Sequence, residues 1–334
     1  MSATRRITGK YAQHAQHAQH AGPPAVTAEG LTRSLGGVTA LDAVSFHVAA
    51  GELFGIVGPD GAGKSTTLRI LAGVLRPTAG DATVAGISVA REPERVKHRI
   101  AYMSQRFGLY GDLTVRENID FYADVYGVSR HVRGARLERL YAFSQLGQFE
   151  SRLAANLSGG MKQKLSLCCA LIHEPEVLLL DEPTFGVDPI SRRELWLIVH
   201  EMVANGMTAV VTTAYLDEAE RCDRVALLQG GRLAALDAPE ALQGRLRGRS
   251  LAIDCDAPER AAQLLRGRAG VRSAALFGRA LHLTLDQPGR EAELSAALAG
   301  AGIAVRAVRD LDPSLEDVFI DLSTETSHVH HTHH

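Results

Sequence analysis

Cysteine is scarce in this chain: there are four in 334 residues, at Cys168, Cys169, Cys222 and Cys255. No two are spaced as C-x-x-C, so neither a paired-thiol zinc site nor a redox centre is predicted, and a disulfide framework is excluded. This usage suits a reducing cytoplasm. Long apolar runs are also missing, since none approaches the roughly 18 residues that a membrane-spanning helix requires. Arg5, Arg6 and Lys10 are followed by no apolar stretch, so no secretory leader is predicted. Lysine is rare, with five among the 36 basic residues and arginine making up the other 31. A net charge of −2 creates no global field for nucleic acid. Arg-rich stretches such as Arg245-Leu246-Arg247-Gly248-Arg249 read as solvated faces rather than a polyanion site. Hydrophobic content of 46% and charged content of 22% are ordinary for a globular protein. The length allows one large domain and a small one.

Against that background, three segments carry chemistry. Gly58-Pro59-Asp60-Gly61-Ala62-Gly63-Lys64-Ser65-Thr66 fits G-x-x-x-x-G-K-[ST] in full. Glu52 to Val57 reads as a buried strand before it, and Ser65 to Leu75 as a helix after it, with Leu68, Leu71, Ala72 and Leu75 at helical spacing. With those flanks it is more than a glycine-rich turn with a chance lysine. The glycines let backbone N–H groups converge on phosphate oxygens, and the helix N-terminus adds partial positive charge there. Lys64 is expected to reach the β- and γ-phosphates, Ser65 to ligate Mg²⁺ and Thr66 to touch the α-phosphate.

Val177 to Leu180 is a continuous aliphatic run, which suits a parallel strand buried on both faces. Asp181 and Glu182 then emerge at its C-terminal end, where open α/β sheets place their ligands. Asp181 is expected to hold Mg²⁺, and Glu182 to accept a proton from the attacking water. In Leu157-Ser158-Gly159-Gly160-Met161-Lys162-Gln163, Ser158 is a good N-cap for a helix running to about His173, before Pro175, with Cys168 and Cys169 packed on it. Ser158, Gly159 and Gly160 would present a second anion site. The chain's own phosphates already have a cradle, so this second site reads as serving a partner's γ-phosphate. The three segments together predict an ATPase that works as a pair.

Across roughly residues 25–240 the chain resembles the nucleotide-binding subunit of an ATP-binding cassette (ABC) transporter. The resemblance implies a P-loop NTPase of the α/β class. Its parts would be a RecA-like core sheet, an antiparallel β subdomain packed against the base, and a helical subdomain inserted at about 106–173. Gln105, in Tyr102-Met103-Ser104-Gln105, matches the glutamine that senses Mg²⁺ and the attacking water. Asp188, in Phe185-Gly186-Val187-Asp188-Pro189, matches the loop aspartate that crosses the dimer interface. The surface near Phe107-Gly108-Leu109-Tyr110 and Asn118-Ile119-Asp120-Phe121-Tyr122 should meet a membrane subunit, with internal core as the competing reading of those aromatics.

Two positions depart from the family pattern. Ala214, in Val211-Thr212-Thr213-Ala214-Tyr215, stands where the family has a histidine that contacts the γ-phosphate. Alanine has no donor there, and losing one preorganised donor slows other enzymes by roughly 10²–10³. Tyr215 is adjacent, but successive strand side chains point to opposite faces. Leu35 stands where many relatives carry an aromatic that stacks on adenine, so only apolar packing against the base is expected.

Four segments are expected: a His-containing low-complexity stretch at 1–24, a nucleotide-binding domain at 25–245, a small α+β domain at 246–322 and a His-rich tail at 323–334. In the third, Ser250–Asp254 reads as a strand, Pro258–Leu265 as a helix, Val271–Leu285 as a hairpin and Glu291–Leu298 as a helix. A strand follows at about Ile303–Val308. Asp312 and Pro313 read as the N-cap and first residue of a short helix. The wording Pro313-Ser314-Leu315-Glu316-Asp317-Val318-Phe319 resembles the tail of daunorubicin-resistance-type exporter ATPases, which pair with separate type-2 permeases. No catalytic constellation appears there, and a regulatory or dimer-stabilising role is expected.

His14, His17, His20, His328, His330, His331, His333 and His334 are dense enough to bind Zn²⁺, Ni²⁺ or Cu²⁺, although a flexible low-complexity tail, or an expression remnant at the C-terminus, is the favoured reading. The reading is therefore an ATP- and Mg²⁺-dependent exporter subunit, cytoplasmic and peripheral on the inner face of the membrane. It would act as a homodimer or beside a second cassette, with a separate permease and no nucleic acid. Two alternatives remain. One is a soluble cassette acting on nucleic acid or ribosomes, a class that usually has two cassettes or added coiled-coil or zinc elements. The other is a slow nucleotide-sensing regulator, favoured by Ala214 and opposed by Glu182.

Overall fold

The computed structural model describes residues 22–105, 108–278 and 280–331, and divides them into two units. The first spans residues up to Tyr215 together with Cys222–Leu233. Strands β1 (Val26–Leu35) and β2 (Val38–Val48) form a hairpin. Its two-residue loop is Gly36-Gly37 with φ of 55° and 87°, the positive pair that tight hairpin turns need. Strand β3 (Leu53–Val57), every residue of it buried, enters the core, and helix α1 (Lys64–Leu71) follows. Strands β4 (Ala79–Val84) and β5 (Ile87–Ser88) return to complete an antiparallel sheet ordered β2-β1-β4-β5. Phe46 of β2 stacks on Phe54 of β3 at 5.3 Å and joins this sheet to the core.

Helix α1 stops at Leu71, four residues short of the end expected from Leu75. Gly73 adopts φ 66°, and its N–H turns back to Ile70 O, so the left-handed residue terminates the helix before the apolar pattern ends. Helix α2 (Pro93–Lys97) and strand β6 (Ile100–Met103) lead into the helical segment. This comprises α3 (Val115–Val125), α4 (Arg130–Ser144) and α5 (Gly159–Leu171). Buried Arg133 ties α3 to α4 by reaching Asp120 at 3.3 Å, Asp124 at 2.5 Å and Val128 O at 3.0 Å.

Strand β7 (Val177–Asp181), helix α6 (Pro189–Ala204), strand β8 (Thr208–Thr213) and strand β9 (Arg224–Gln229) finish the core. Its parallel strands run in the order β9-β3-β8-β7-β6, as expected for an α/β P-loop NTPase. β3, β7 and β8 are buried at every position, which explains the apolar runs of β3 and β7. The chain order crosses over between β3 and its neighbours, and the parallel register brings all the C-terminal strand ends to one edge.

The second unit comprises residues 216–221 and 234–331 of the described chain. It contains helix α7 (Leu216–Ala219), most of strand β10 (Arg232–Asp237), helix α8 (Pro239–Gly244) and strand β11 (Ser250–Cys255). Helix α9 (Pro258–Leu265), strands β12 (Val271–Phe277) and β13 (Ala280–Leu285), helix α10 (Glu291–Gly300) and strand β14 (Val305–Asp310) follow. The antiparallel sheet is ordered β12-β13-β11-β14 around a core that includes Leu251, Ile253, Leu265, Leu283, Leu294 and Leu298.

The last helix, α11 (Leu315–His331), starts two residues later than Asp312-Pro313 suggested. Ser314 is the capping residue: its hydroxyl accepts from Asp317 N at 3.3 Å, while Asp317 Oδ2 accepts from Ser314 N at 2.8 Å. No glycine or proline follows Pro313 to stop the helix, and it runs through residues expected as a tail. Asp317 and Asp321 share one face of it. Arg272 makes a two-pronged contact with Asp321 at 2.8 and 2.7 Å, and His282 Nδ1 lies 2.9 Å from Asp317 Oδ1. Among the described residues, no helix is long and apolar enough to cross a membrane. Phe107, His14, His17, His20, His333 and His334 lie outside the described residues.

Asp321 is buried, so Asp321→Ala should destabilise the second unit by about 1–3 kcal/mol by removing its two-pronged contact with Arg272. Chemical denaturation checks this, and the double change Arg272→Met with Asp321→Leu should recover most of the loss.

Candidate functional site

The loop between β3 and α1 is shaped by its glycines. Gly61 and Gly63 have φ of 80° and 102°, left-handed values that a residue with a Cβ rarely adopts. At Gly58 a Cβ would sit 2.3 Å from Leu228 O, and at Gly63 one would sit 2.6 Å from Ala40 O. The loop is thus wedged between β9 and β2, where only glycine fits. Ala62 is buried beneath it, its N–H bonded to Pro59 O at 3.1 Å, while Asp60 is exposed. Thr66 follows in the first turn of α1.

Lys64 is buried, and its ammonium is fully engaged within the chain. Nζ donates to Gly58 O at 2.8 Å and Pro59 O at 3.1 Å, and lies 3.2 Å from Glu182 Oε1 and 3.9 Å from Asp60. Gln105 Nε2 donates to the other Glu182 oxygen at 3.3 Å. Asp181 is only 1% exposed, so its carboxylate must be solvated by the protein. Ser65 Oγ and Thr212 Oγ1 each donate to Oδ1 at 2.8 Å, and Tyr102 OH reaches Oδ2 at 3.4 Å. Burial, followed by the neighbouring Asp181 charge, pushes the Tyr102 phenol above its ordinary pKa, while Arg69 acts in the opposite sense. Tyr102 therefore stays an O–H donor at neutral pH.

Glu182 sits at φ 47°, left-handed for a residue that carries a Cβ. Such a conformation costs about 1–3 kcal/mol and persists only where its surroundings enforce it. Its N–H is held by Thr212 Oγ1 at 3.0 Å and Thr212 O at 3.2 Å. The turn swings the Glu182 side chain back toward Lys64 instead of letting β7 continue.

The structure thus brings together Lys64, Ser65, Gln105, Asp181 and Glu182, which come from three separate stretches of the sequence. Ser158, Gly159, Gly160 and Asp188 form a second cluster at the starts of α5 and α6. Ser158 caps α5 by accepting from Met161 N at 3.3 Å. Asp188 caps α6 by accepting from Ile190 N at 3.1 Å and Ser191 N at 3.0 Å, and those N–H bonds, Ser191's first, hold its carboxyl below the usual range. A Cβ on Gly160 would lie 2.1 Å from Ser191 Oγ, so the two helix starts touch there. Ser158 and Gly159 remain exposed.

Thr213 of β8 pairs with Val57 of β3, so Ala214 follows level with Gly58, the first residue of the phosphate loop. Its methyl offers no donor. The adjacent Tyr215 ring lies under the Arg192 guanidinium, 4.6 Å from its centroid. Leu35 is 46% exposed and pairs with exposed Val38 at the hairpin tip. In the helical segment, Asn118 and Ile119 are core, while Tyr110 and Phe121 are 49% and 37% exposed and meet edge-to-face at 4.7 Å. Thr212 and Tyr102 were not singled out by the motifs. The available signals were a tyrosine in the short apolar strand β6 and the threonines that end β8.

The family model for ABC transporter matches residues 41–185. The chain is 48% identical over 227 residues to the Escherichia coli (strain K12) protein named probable multidrug ABC transporter ATP-binding protein YbhF, covering 67% of this chain and 39% of that protein. It therefore spans about two fifths of that relative's length. It is 39% identical over 219 residues to the Nod factor export ATP-binding protein I of Paraburkholderia xenovorans (strain LB400), covering 65% of this chain and 72% of that protein. Among solved structures, an ATP binding subunit of an ABC transporter matches with TM-score 0.60 at 32% identity, over 66% of this chain and 92% of that one. A dimeric ATP-binding cassette in a post-hydrolysis state bound to ADP and Pi matches with TM-score 0.58 at 26% identity, over 64% of this chain and 98% of that one.

Gly160→Ala should lower stability by about 1–3 kcal/mol, because the added methyl collides with Ser191. Thermal unfolding checks this, and adding Ser191→Gly should restore the midpoint.

Proposed function

The chain belongs to the ABC transporter family as an ATP-binding cassette, and on that premise we propose that it binds and hydrolyses ATP to drive export through a separate membrane permease. The observation that carries the reading is the convergence of Lys64, Ser65, Gln105, Asp181 and Glu182 on the N-terminus of α1. The loop amides of Gly58–Thr66 cradle the phosphates, and Lys64 exchanges its contact with Glu182 for the β- and γ-phosphate oxygens. The donor set of Ser65 hydroxyl, Asp181 carboxylate and Gln105 amide oxygen is hard and suits Mg²⁺. Bound there, Mg²⁺ supplies charge neutralisation of the phosphate oxygens. Glu182, released from Lys64, orients the attacking water and takes its proton. Leu35 offers the base apolar packing.

Ser158, Gly159 and Gly160 open a different helix, α5, with Ser158 and Gly159 exposed, which supports the reading that they close on a second cassette's nucleotide. Asp188 lies beside them at the start of α6. Closure of two such faces would convert binding into movement of the membrane subunits. The half-exposed Tyr110 and Phe121 are assigned to contact with the permease. The 246–322 segment is assigned a regulatory or dimer-stabilising role. A cytoplasmic, membrane-peripheral location follows from this arrangement. Slow turnover is the expected cost of Ala214, either in a homodimer or beside a second cassette that supplies the histidine.

Ala214→His should raise the ATPase rate of the purified chain by about 10²-fold, the size of one preorganised donor. Unchanged turnover in a coupled-enzyme assay would place the limit elsewhere, such as in a missing partner. In a Glu182→Gln background, ATP should convert monomer to dimer by light scattering. Adding Ser158→Arg should abolish the dimer and leave ATP binding to the monomer intact. A dimer that survives Ser158→Arg would sink the assignment of Ser158, Gly159 and Gly160.

A further inference from the structure

Thr212 is fully buried in β8, every residue of which is buried, a costly place for a hydroxyl unless it is bonded. Its Oγ1 has three neighbours: Asp181 Oδ1 at 2.8 Å, Glu182 N at 3.0 Å and Leu180 O at 3.5 Å. A hydroxyl has one proton to give, and the nearer, charged carboxylate takes it over a carbonyl at the limit of reach. A lone pair is then left for the Glu182 N–H. The Thr212 carbonyl accepts from the same N–H at 3.2 Å. Both oxygens of this residue are therefore directed at the end of β7.

The other donors to Asp181 come from elsewhere. Ser65 is carried by the helix after the phosphate loop, and Tyr102 by β6. Thr212 is the cross-strand partner of Asp181 in the parallel register, a position fixed by the core itself. Its hydroxyl also supports the left-handed backbone of Glu182, which aims that side chain at Lys64.

We propose that Thr212 is a positioning residue of the nucleotide site: its single hydroxyl orients the Asp181 carboxylate toward Ser65 and holds the turn that directs Glu182. It acts through these two residues. The inference rests on the ATPase reading above.

Thr212→Val keeps the volume, the β-branch and the backbone carbonyl, and removes only the hydroxyl. Thr212→Ser keeps the hydroxyl. Mn²⁺ titrated into each variant with ADP, followed by electron paramagnetic resonance, reads metal affinity without turnover. Thr212→Val should weaken Mn²⁺ binding about 10-fold, the usual scale for outer partners of ligating groups, and lower kcat at saturating metal by a similar factor. Nucleotide binding in EDTA should be unchanged, and Thr212→Ser should stay close to the parent in all three readouts. Wild-type Mn²⁺ affinity and kcat in Thr212→Val would overturn the proposal. So would a Thr212→Ser variant as impaired as Thr212→Val. Should Thr212→Val fail to fold, Thr212→Ala gives the same comparison. A parent chain that binds no nucleotide would instead overturn the ATPase reading itself, and a parent that binds while the variants agree with it would overturn only this inference.

Discussion

The buried carboxylate of Asp181 is the group on which the rest of the site depends. A carboxylate removed from water is costly unless the protein supplies the hydrogen bonds that water gave. Here those donors come from three elements: Ser65 of α1, Thr212 of β8 and Tyr102 of β6. They reach one side chain only if β6, β7 and β8 are in register and α1 sits on the strand ends. The parallel ladder provides that register, pairing Met103 with Leu180 and Asp181 with Thr212. The aliphatic burial of β7 and the polarity at its tip are thus parts of one constraint.

A second balance sits beside it. Lys64 is buried and positive, and the chain answers its charge with Glu182 and two loop carbonyls. On the proposed reading an incoming polyphosphate takes over those contacts, which would link ligand binding to release of the glutamate through charge. The strained turn at Glu182 matters for the same reason, since an unstrained continuation of β7 would carry that carboxylate away from the loop. The close approaches at Gly58 and Gly63 leave no room for the loop to drift from this arrangement.

Much of this was legible in the sequence, for identifiable reasons. Gly58 to Thr66, the Val177–Glu182 run and Ser158–Gly160 are contiguous, and each encodes its chemistry in neighbouring residues. The small sheet of the second unit was readable because its strands and helices alternate with clear proline and glycine boundaries, such as Pro258 at the first position of α9. Helix ends were less legible. The apolar spacing past Leu71 continued, but Gly73 turned the backbone, and Ser314 rather than Asp312 capped α11 because it forms the reciprocal bond with Asp317.

The sequence by itself determined the α/β class, the phosphate loop, the acidic strand end and the absence of a donor at Ala214, because these depend on local geometry or on the identity of one residue. Only the tertiary structure decided that Thr212 and Tyr102 share Asp181, that Lys64 faces Glu182, that Gly160 rests on Ser191 and that Arg272 and His282 hold α11. Each of those contacts joins residues 31 to 118 positions apart, or two helix starts, and is set by strand register and helix packing, which no single stretch of sequence specifies.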